Sequence, residues 1–279
     1  MPELPEVETV VRELRAHGLV GRTVAGVGVA WPRVLVGDTP GAFTRKLRGR
    51  RIEVVGRRAK YILLKFSGGM SLAIHLRMTG QLHFAARAAP RDVHETIWLV
   101  FEDGEELRFH DTRKFGVWKA AASLDALLPE LGPEPFDPAF TVKVFRERLS
   151  GQRRAIKTLL LDQAFLAGVG NIYADEALWD AKLHPQRRAD GLTRAQAAAL
   201  YAAVRRVLTA GIANNGTSLG DGATNFARLE GRRGGNASTL KVFRRDGQPC
   251  PRCGVELRRI VVGQRGTHFC PRCQRSKTP

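Results

Sequence analysis

No apolar run in these 279 residues approaches the roughly 18 that a bilayer span requires, so a membrane helix is excluded. The opening Met1-Pro2-Glu3-Leu4-Pro5-Glu6 is acidic where a secretory signal would be basic and then apolar, so export by such a signal is excluded as well. A soluble, cytoplasmic protein is expected. Internal repeats and low-complexity tracts are absent, and with 43% hydrophobic residues global disorder is ruled out. The length suits two domains with room for a third, small module.

Acidic residues are in short supply, 27 against 45 lysines and arginines, for a net charge of +18. The deficit sits in the second half. Residues 141–279 hold 25 basic and 10 acidic side chains (+15), whereas residues 1–140 hold 20 and 17 (+3). An excess confined to one half fits a polyanionic partner, with nucleic acid ahead of a membrane surface or a ribosomal contact. Arginine supplies 35 of the bases, which suits bidentate phosphate contacts.

Cysteine is missing until Cys250, and then Cys250, Cys253, Cys270 and Cys273 follow C-x2-C-x16-C-x2-C, the spacing of a four-thiolate zinc site. Each C-P-R-C pair reads as a tight knuckle, and the insert between the pairs is long enough for a hairpin. Two disulfides are the alternative, disfavoured in a reducing compartment. Four sulfurs close the coordination sphere, so one structural zinc is expected, with no open position for a water.

Along the chain, Val7, Val10, Val11 and Leu14 recur at helical spacing until Gly18 stops them. Short β-like runs follow at Ile52–Val55, Tyr61–Phe66, Ser71–Leu76, Thr96–Phe101 and Glu106–His110, with Gly68-Gly69 and Asp103-Gly104 as turns. That spacing predicts a β-sandwich or barrel. Gly132–Pro138 reads as a linker. Helical patterns cover Val142–Leu149, Ala155–Gln163, Ile172–Ala181 and Arg194–Ala213. Gly216–Gly235 reads as a mobile loop, Leu240–Val242 as a strand, and Asp246-Gly247 as a turn before the cysteine module.

The N-terminus is itself a reagent. A small second residue favours removal of the initiator methionine, which exposes the secondary amine of Pro2. Condensed with an aldehyde-level carbon, that amine gives an iminium that cannot lose its charge at nitrogen, the electron sink that elimination on a sugar needs. The positive end of the following helix lowers the amine pKa from its start near 8. Glu3 and Glu6 stand i, i+3 on one helix face, within reach of that nitrogen. Pro and Glu are also ordinary residues at a helix start, so a purely structural reading stays open.

Pro2-Glu3-Leu4-Pro5-Glu6-Val7-Glu8-Thr9 resembles the opening of the bacterial formamidopyrimidine-DNA glycosylase family, whose members remove oxidised purines such as 8-oxoguanine. Arg57–Tyr61, His75–Gly80, Asp111–Gly116 and Gly168–Glu176 are similar to further family segments in the same order, and the cysteine module with Gln264-Arg265-Gly266-Thr267 is a sixth. The likeness runs from Pro2 to Gln274. It implies a bifunctional glycosylase and lyase working by β,δ-elimination in base-excision repair. Pro2 matches the nucleophile at C1′, Glu3 the acid that protonates the sugar and assists departure of the base, and Glu6 the carboxylate that steadies developing positive charge. Lys60 matches the lysine of β-elimination, with a phosphate contact as its alternative. Arg265 matches the residue that grips phosphates at the lesion and assists δ-elimination.

A base inside a duplex has to be flipped out and the hole filled. Met78, Arg113 and Phe115 match the family's filling set; on residue type alone Met78 and Phe115 read as core. Asn171, after Gly168-Val169-Gly170, matches the helix–two-turn–helix DNA clamp. His94, Arg153, Arg154 and Lys157 are candidates for phosphate contacts, each weighed against a merely solvated charge. Two departures stand out: Phe243 replaces a tyrosine, and the segment Thr217–Ser238, where the flipped base is usually recognised, differs widely.

The resemblance implies an α+β multidomain chain: an N-terminal β-sandwich with its catalytic helix (1–133), a helix–two-turn–helix domain with the base-recognition loop (134–238), and a zinc-finger hairpin (239–279). DNA would lie in the cleft between them. The implied partner is double-stranded DNA carrying oxidised bases, met by a nucleoid-associated monomer with no membrane contact and no nucleotide cofactor. Two rivals remain. The sister glycosylase for oxidised pyrimidines usually has Gly where Leu4 stands. A non-catalytic zinc-ribbon DNA-binding protein would show no dependence on Pro2.

Overall fold

A computed structural model describes residues 1–220, 226–229 and 231–275. Packing groups them into two units, Met1–Pro129 with Asn214–Ala237, and Glu130–Ala213 with the residues from Ser238 onward. Among the described residues no helix is long and apolar enough to cross a membrane.

The first unit runs α1 (Leu4–Ala16), β1 (Val24–Val29), α2 (Pro40–Leu47), β2 (Ile52–Arg58), β3 (Tyr61–Phe66), β4 (Ser71–His75), β5 (Gln81–Ala86), β6 (Glu95–Phe101), β7 (Glu105–His110), β8 (Val117–Ala121) and the single turn α3 (Leu124–Leu127). Its strands form two antiparallel four-stranded sheets, ordered β1-β6-β7-β5 and β2-β3-β4-β8. Ile97, Leu99 and Phe109 of one sheet share a buried cluster with Ile62, Leu64 and Ile74 of the other, so the pair is a β-sandwich. Val7, Val10, Val11 and Leu14 of α1 enter the same cluster. Burying such a side chain is worth about 1.5–3 kcal/mol. The helix is thus held by its apolar face, and Glu6 is the one charged side chain buried in its first turn.

Strand β1 escapes the pattern because glycines interrupt it. Gly28 pairs with Trp98 on β6, and a Cβ there would lie 2.0 Å from the indole. Residues 214–237 belong with the sandwich through contacts that the sequence does not advertise. Thr217 N–H donates to Glu6 Oε1 at 2.8 Å, and Gly234 N–H donates to Ser218 Oγ at 2.8 Å. Phe226 and Leu229 lie in the sandwich core. The described part of 216–235 forms no helix or strand, as the loop reading expects, but it is hydrogen-bonded and packed against the sandwich. Asp221–Asn225 and Glu230, within the loop expected to recognise the base, lie outside the described residues.

The second unit contains α4 (Val142–Leu149), α5 (Ile156–Leu161), α6 (Asn171–Asp180), α7 (Arg194–Ala213) and the hairpin β9 (Arg258–Val262) and β10 (Arg265–Phe269). The stretch read as a linker is docked here: Gly132 N–H donates to Gln163 O at 2.8 Å, and Ala167 N–H to Pro133 O at 3.0 Å. Leu240–Val242 is not a strand. The amides of Lys241, Val242 and Phe243 all donate to the buried carboxylate of Glu176, each at 2.9 Å, which leaves no strand partner for that backbone. Burial pushes Glu176 up while those three amides hold its charged form.

Candidate active site and nucleic-acid interface

At the start of α1, Glu3 is the N-cap in extended conformation and Pro5 occupies the first turn. Glu3 N–H donates to Glu6 Oε2 at 2.8 Å, half of a capping box. The other oxygen of Glu6 accepts from Thr217 N–H. Glu3 and Glu6, on the same helix face, are 2% and 1% exposed. Glu6 therefore fixes the residue that follows Pro2 and the segment after Gly216 with one carboxylate. Charge-assisted bonds of this kind are the stronger class.

Lys60 occupies the tip of the β2–β3 hairpin, after Ala59 at a left-handed φ of 52°. Arg57 ties that tip to α1, with Nε donating to Glu8 Oε2 at 3.0 Å and Nη1 to Ala59 O at 2.9 Å. Lys60 is only 4% exposed, unlike a lysine on an open phosphate-binding face. Nearby His75 is held neutral. Burial, then the charges of Arg77 and Lys60, bring it down to about 3, and its Nδ1 accepts from Arg77 N–H at 3.0 Å.

Met78, Arg113 and Phe115 are carried by two loops that Asp111 joins. Its carboxylate accepts from the Thr79 hydroxyl and from Gly116 N–H, the latter at 2.7 Å. Gly80 and Gly116 close on the Phe109 ring, where a Cβ would come within 2.4 and 2.3 Å. Arg77 and Lys114, at φ 54° and 56°, aim the two loops. Phe115 is 52% exposed, with the Arg113 guanidinium 4.8 Å from its ring centroid, and Met78 is half-buried. Phe115 is no core residue. Phe115→Ala is accordingly expected to leave the melting temperature within about 2–4 °C of the parent, the shift for 1 kcal/mol in a protein of this size. Cleavage of 8-oxoguanine duplex should fall while cleavage at a preformed abasic site suffers less. A collapse in melting temperature with both substrates impaired equally would return Phe115 to a structural role. His94, half-buried, has no hydrogen-bond partner for Nδ1 among the described residues.

In the second unit Lys157 corrects the expectation of a phosphate contact. It is 0% exposed. Its ammonium donates to Asp175 Oδ1 at 2.6 Å, Thr267 Oγ1 at 2.7 Å and Gly266 O at 3.0 Å, tying α5, α6 and β10 together. Asp175 also accepts from His268 N–H at 2.9 Å. Asn171, the first residue of α6, donates through Nδ2 to the same Gly266 carbonyl at 3.0 Å, and its Oδ1 has no partner among the described residues. This brings the start of α6 beside Arg265, which is exposed at the beginning of β10 after a turn with Gly263 and Gln264 at φ 55° and 61°. Arg153 is exposed, and Arg154 pairs with Asp162 at 2.8 Å. Sequence reasoning passed over the buried carboxylates Asp111, Asp175 and Glu176, although all three lie inside the quoted motifs. Asp175 and Glu176, flanked by alanines in an otherwise apolar helical run, carried a signal, whereas Asp111, between His110 and Thr112, carried none.

The four cysteine Sγ atoms lie within 4.8 Å of one another. A zinc with Zn–S of about 2.3 Å would set them roughly 3.8 Å apart, so the donor set fits one tetrahedral ion. Backbone bonds shape each knuckle, Gly254 N–H to Cys250 O at 2.8 Å and Gln274 N–H to Cys270 O at 2.9 Å. Burial opposes ionisation of Cys250, but the Trp179 indole N–H and the amides of Arg252 and Cys253 bring it down to about 6. All four positions are protein sulfurs, which assigns the metal a structural part.

Three family models match in order: the formamidopyrimidine-DNA glycosylase N-terminal domain over residues 1–118, its H2TH domain over 131–222, and the zinc finger found in FPG and IleRS over 247–275. Sandwich, helical clamp and four-cysteine finger together define a zinc-finger DNA glycosylase. The formamidopyrimidine-DNA glycosylase of Chloroflexus aggregans is 49% identical over 98% of both chains, and that of Protochlamydia amoebophila 43% identical over 99% of this chain and all of its own. The Lactococcus lactis Fpg bound to abasic-site DNA superposes with a TM-score of 0.90 at 36% identity, covering 98% of this chain and 100% of that one. Its complex with N7-benzyl-Fapy-dG DNA gives 0.90 at 37%, covering 99% and 100%. The chain belongs to the formamidopyrimidine-DNA glycosylase family.

Proposed function

We propose that this enzyme excises oxidised purines from duplex DNA and cleaves the strand at the resulting site, using the free amine of Pro2 once Met1 is removed. The observation that carries the reading is the Glu3–Glu6–Thr217 arrangement, which holds the residue after Pro2 in a buried, hydrogen-bonded position at the positive end of α1. The nitrogen attacks C1′, the glycosidic bond breaks towards the base, and Glu3 supplies a proton to the sugar. The iminium then acidifies C2′, and Lys60 takes part in the β-elimination. Arg265 grips the phosphates and assists the second elimination, so that the strand is left with phosphate on both sides of a gap. Met78, Arg113 and Phe115 fill the space of the extruded base, and arginine supplies donors for the orphaned cytosine. Asn171, His94, Arg153 and Arg154 contact phosphates.

The zinc holds the hairpin that bears Arg265. In chain terms the parts are the sandwich (1–133), the clamp with the base-recognition segment (134–238) and the finger (239–279). We place the enzyme in the cytoplasm at the nucleoid, acting as a monomer. A cleavage panel of duplexes with 8-oxoguanine, a ring-opened purine or thymine glycol tests the reading. Preference for the first two is expected. Preference for thymine glycol would move the enzyme to the pyrimidine-directed sister class; one L. lactis Fpg neighbour is itself a complex with oxidised-pyrimidine DNA. Binding without cleavage of any duplex would make it a non-catalytic DNA-binding protein.

A further inference from the structure

Strands β5 and β6 run parallel on either side of β7, so residues 87–94 between them have to pass over β7. They pass on the face turned away from the core. Leu107 and Phe109 enter the core, and Arg108 between them meets the crossing loop on the other face. A loop laid across a sheet has carbonyls with no strand to bond to, and leaving them buried and unpaired is costly.

Arg108 supplies the donors. Its Nη2 donates to Ala89 O at 2.9 Å and to Ala86 O at 3.1 Å, and its Nη1 to Pro90 O at 3.0 Å. Its Nε donates to Glu106 Oε2 at 2.8 Å, and Glu95 Oε2 accepts from Nη1 at 3.4 Å. The other oxygen of Glu106 accepts from Arg91 Nη2 at 2.6 Å, while the Arg91 guanidinium lies 4.1 Å from the Trp98 ring centroid. Arg108, Glu95 and Glu106 are all buried. One carboxylate thus clamps the strand below to the loop above.

The crossing ends at His94. Its N–H donates to Asp92 Oδ1 at 2.7 Å, its carbonyl accepts from Asp111 N–H at 2.9 Å, and its ring meets His110 edge-on with centroids 5.6 Å apart. Asp111 is the same residue that joins the loops of Met78, Arg113 and Phe115. The sandwich core has no need of the clamp, because that core lies on the opposite face of β7. What the clamp fixes is the path of the loop, and with it the place of His94 beside the filling loops.

We infer that Arg108, acting with Arg91 through Glu106, is a positioning residue for the phosphate contact of His94. It holds the crossing loop in its bound form before DNA arrives, so that no ordering cost falls on binding. The inference rests on the His94 contact proposed above.

The test titrates full-length, zinc-loaded enzyme with a labelled duplex carrying a tetrahydrofuran abasic analogue, which binds but offers the amine no aldehyde. Arg108→Lys keeps the charge but loses the fork that spans three carbonyls, and should weaken binding by about 10-fold, the scale of a hydrogen bond to a charged group. The single-turnover rate at saturating 8-oxoguanine duplex should stay within about 2-fold of the parent, less than one neutral hydrogen bond is worth. In a His94→Ala background the same change should cost less than about 2-fold in binding, since the residue it positions is gone. Arg91→Ala, at an exposed side chain, should show the same pattern at smaller size, and it carries the test should Arg108→Lys fail to fold. A merely structural network would weaken binding equally in both backgrounds, and that result overturns the inference while leaving the His94 contact standing. Unchanged binding in Arg108→Lys and Arg91→Ala overturns it as well. A His94→Ala enzyme that binds the duplex like the parent overturns the contact and the inference together.

Discussion

Replacing Pro2 with glycine is expected to cut borohydride capture on 8-oxoguanine DNA sharply, and acetylating the parent's N-terminus should reduce capture to background. The two cases differ in chemistry. A glycine amine still condenses with the sugar, but its imine can shed the proton at nitrogen and lose the charge that drives elimination. The proline iminium has no such proton. A blocked amine cannot condense at all, and strand cleavage should then drop by about 100-fold or more, the lower range for a positioned catalytic group. The buried capping arrangement of Glu3 and Glu6 keeps α1 intact in both cases, so the melting temperature should barely move. Equal capture by the blocked protein would remove Pro2 from the mechanism and direct attention to Lys60.

Cys270→Ser should release about one zinc per chain and remove most affinity for DNA, measured by elemental analysis and by titration of a labelled duplex. The finger has almost no core of its own. The cluster around it consists of Trp179, Val242, Leu257 and the cysteines themselves. A structural zinc is worth roughly 10–16 kcal/mol in isolated fingers, far more than those few side chains can replace. Losing one thiolate therefore unfolds the knuckles and leaves Arg265 without a scaffold. The links from Lys157 and Asn171 to Gly266 limit the damage to the rest of the unit, so far-UV circular dichroism should retain its helical signal. A metal-free parent with four oxidised thiols would refute the zinc assignment.

Where local pattern and tertiary packing agree, the sequence was legible. The apolar spacing of Val7 to Leu14 predicts α1, and the bounds expected for α4 and α7 are those observed. The cysteine spacing predicts a cluster that closes around one ion. Legibility ended where a residue answers to something distant in the chain. Leu240–Val242 has strand composition, but its amides are claimed by Glu176, more than sixty residues earlier. Lys157 carries the charge of a phosphate ligand, yet Asp175 and Thr267 draw it inside. In β1 the glycine that hides the strand is required by an indole on β6. Glu13, which pairs with Arg228 and accepts from Leu229 N–H, gave no local signal at all, because those partners are 215 and 216 residues away. Composition reports what a side chain is able to do; the partner that decides what it does has to be brought to it by the fold.

Ala59, Arg77, Lys114 and Gln264 all adopt left-handed backbone, and each directly precedes a residue proposed for catalysis or DNA contact: Lys60, Met78, Phe115 and Arg265. For a residue with a Cβ that geometry costs about 1–2 kcal/mol relative to the right-handed form. The strain persists because the sandwich and the hairpin ladder around it leave no alternative. Selection for heat resistance would find easy gains by relaxing these four corners, and each gain would disturb the working side chain next door. Under the roles proposed for Lys60, Met78, Phe115 and Arg265, durability and activity are set against each other at these four peptide units, whereas the left-handed corners at Lys182, Asn215 and Arg244 precede none of those residues.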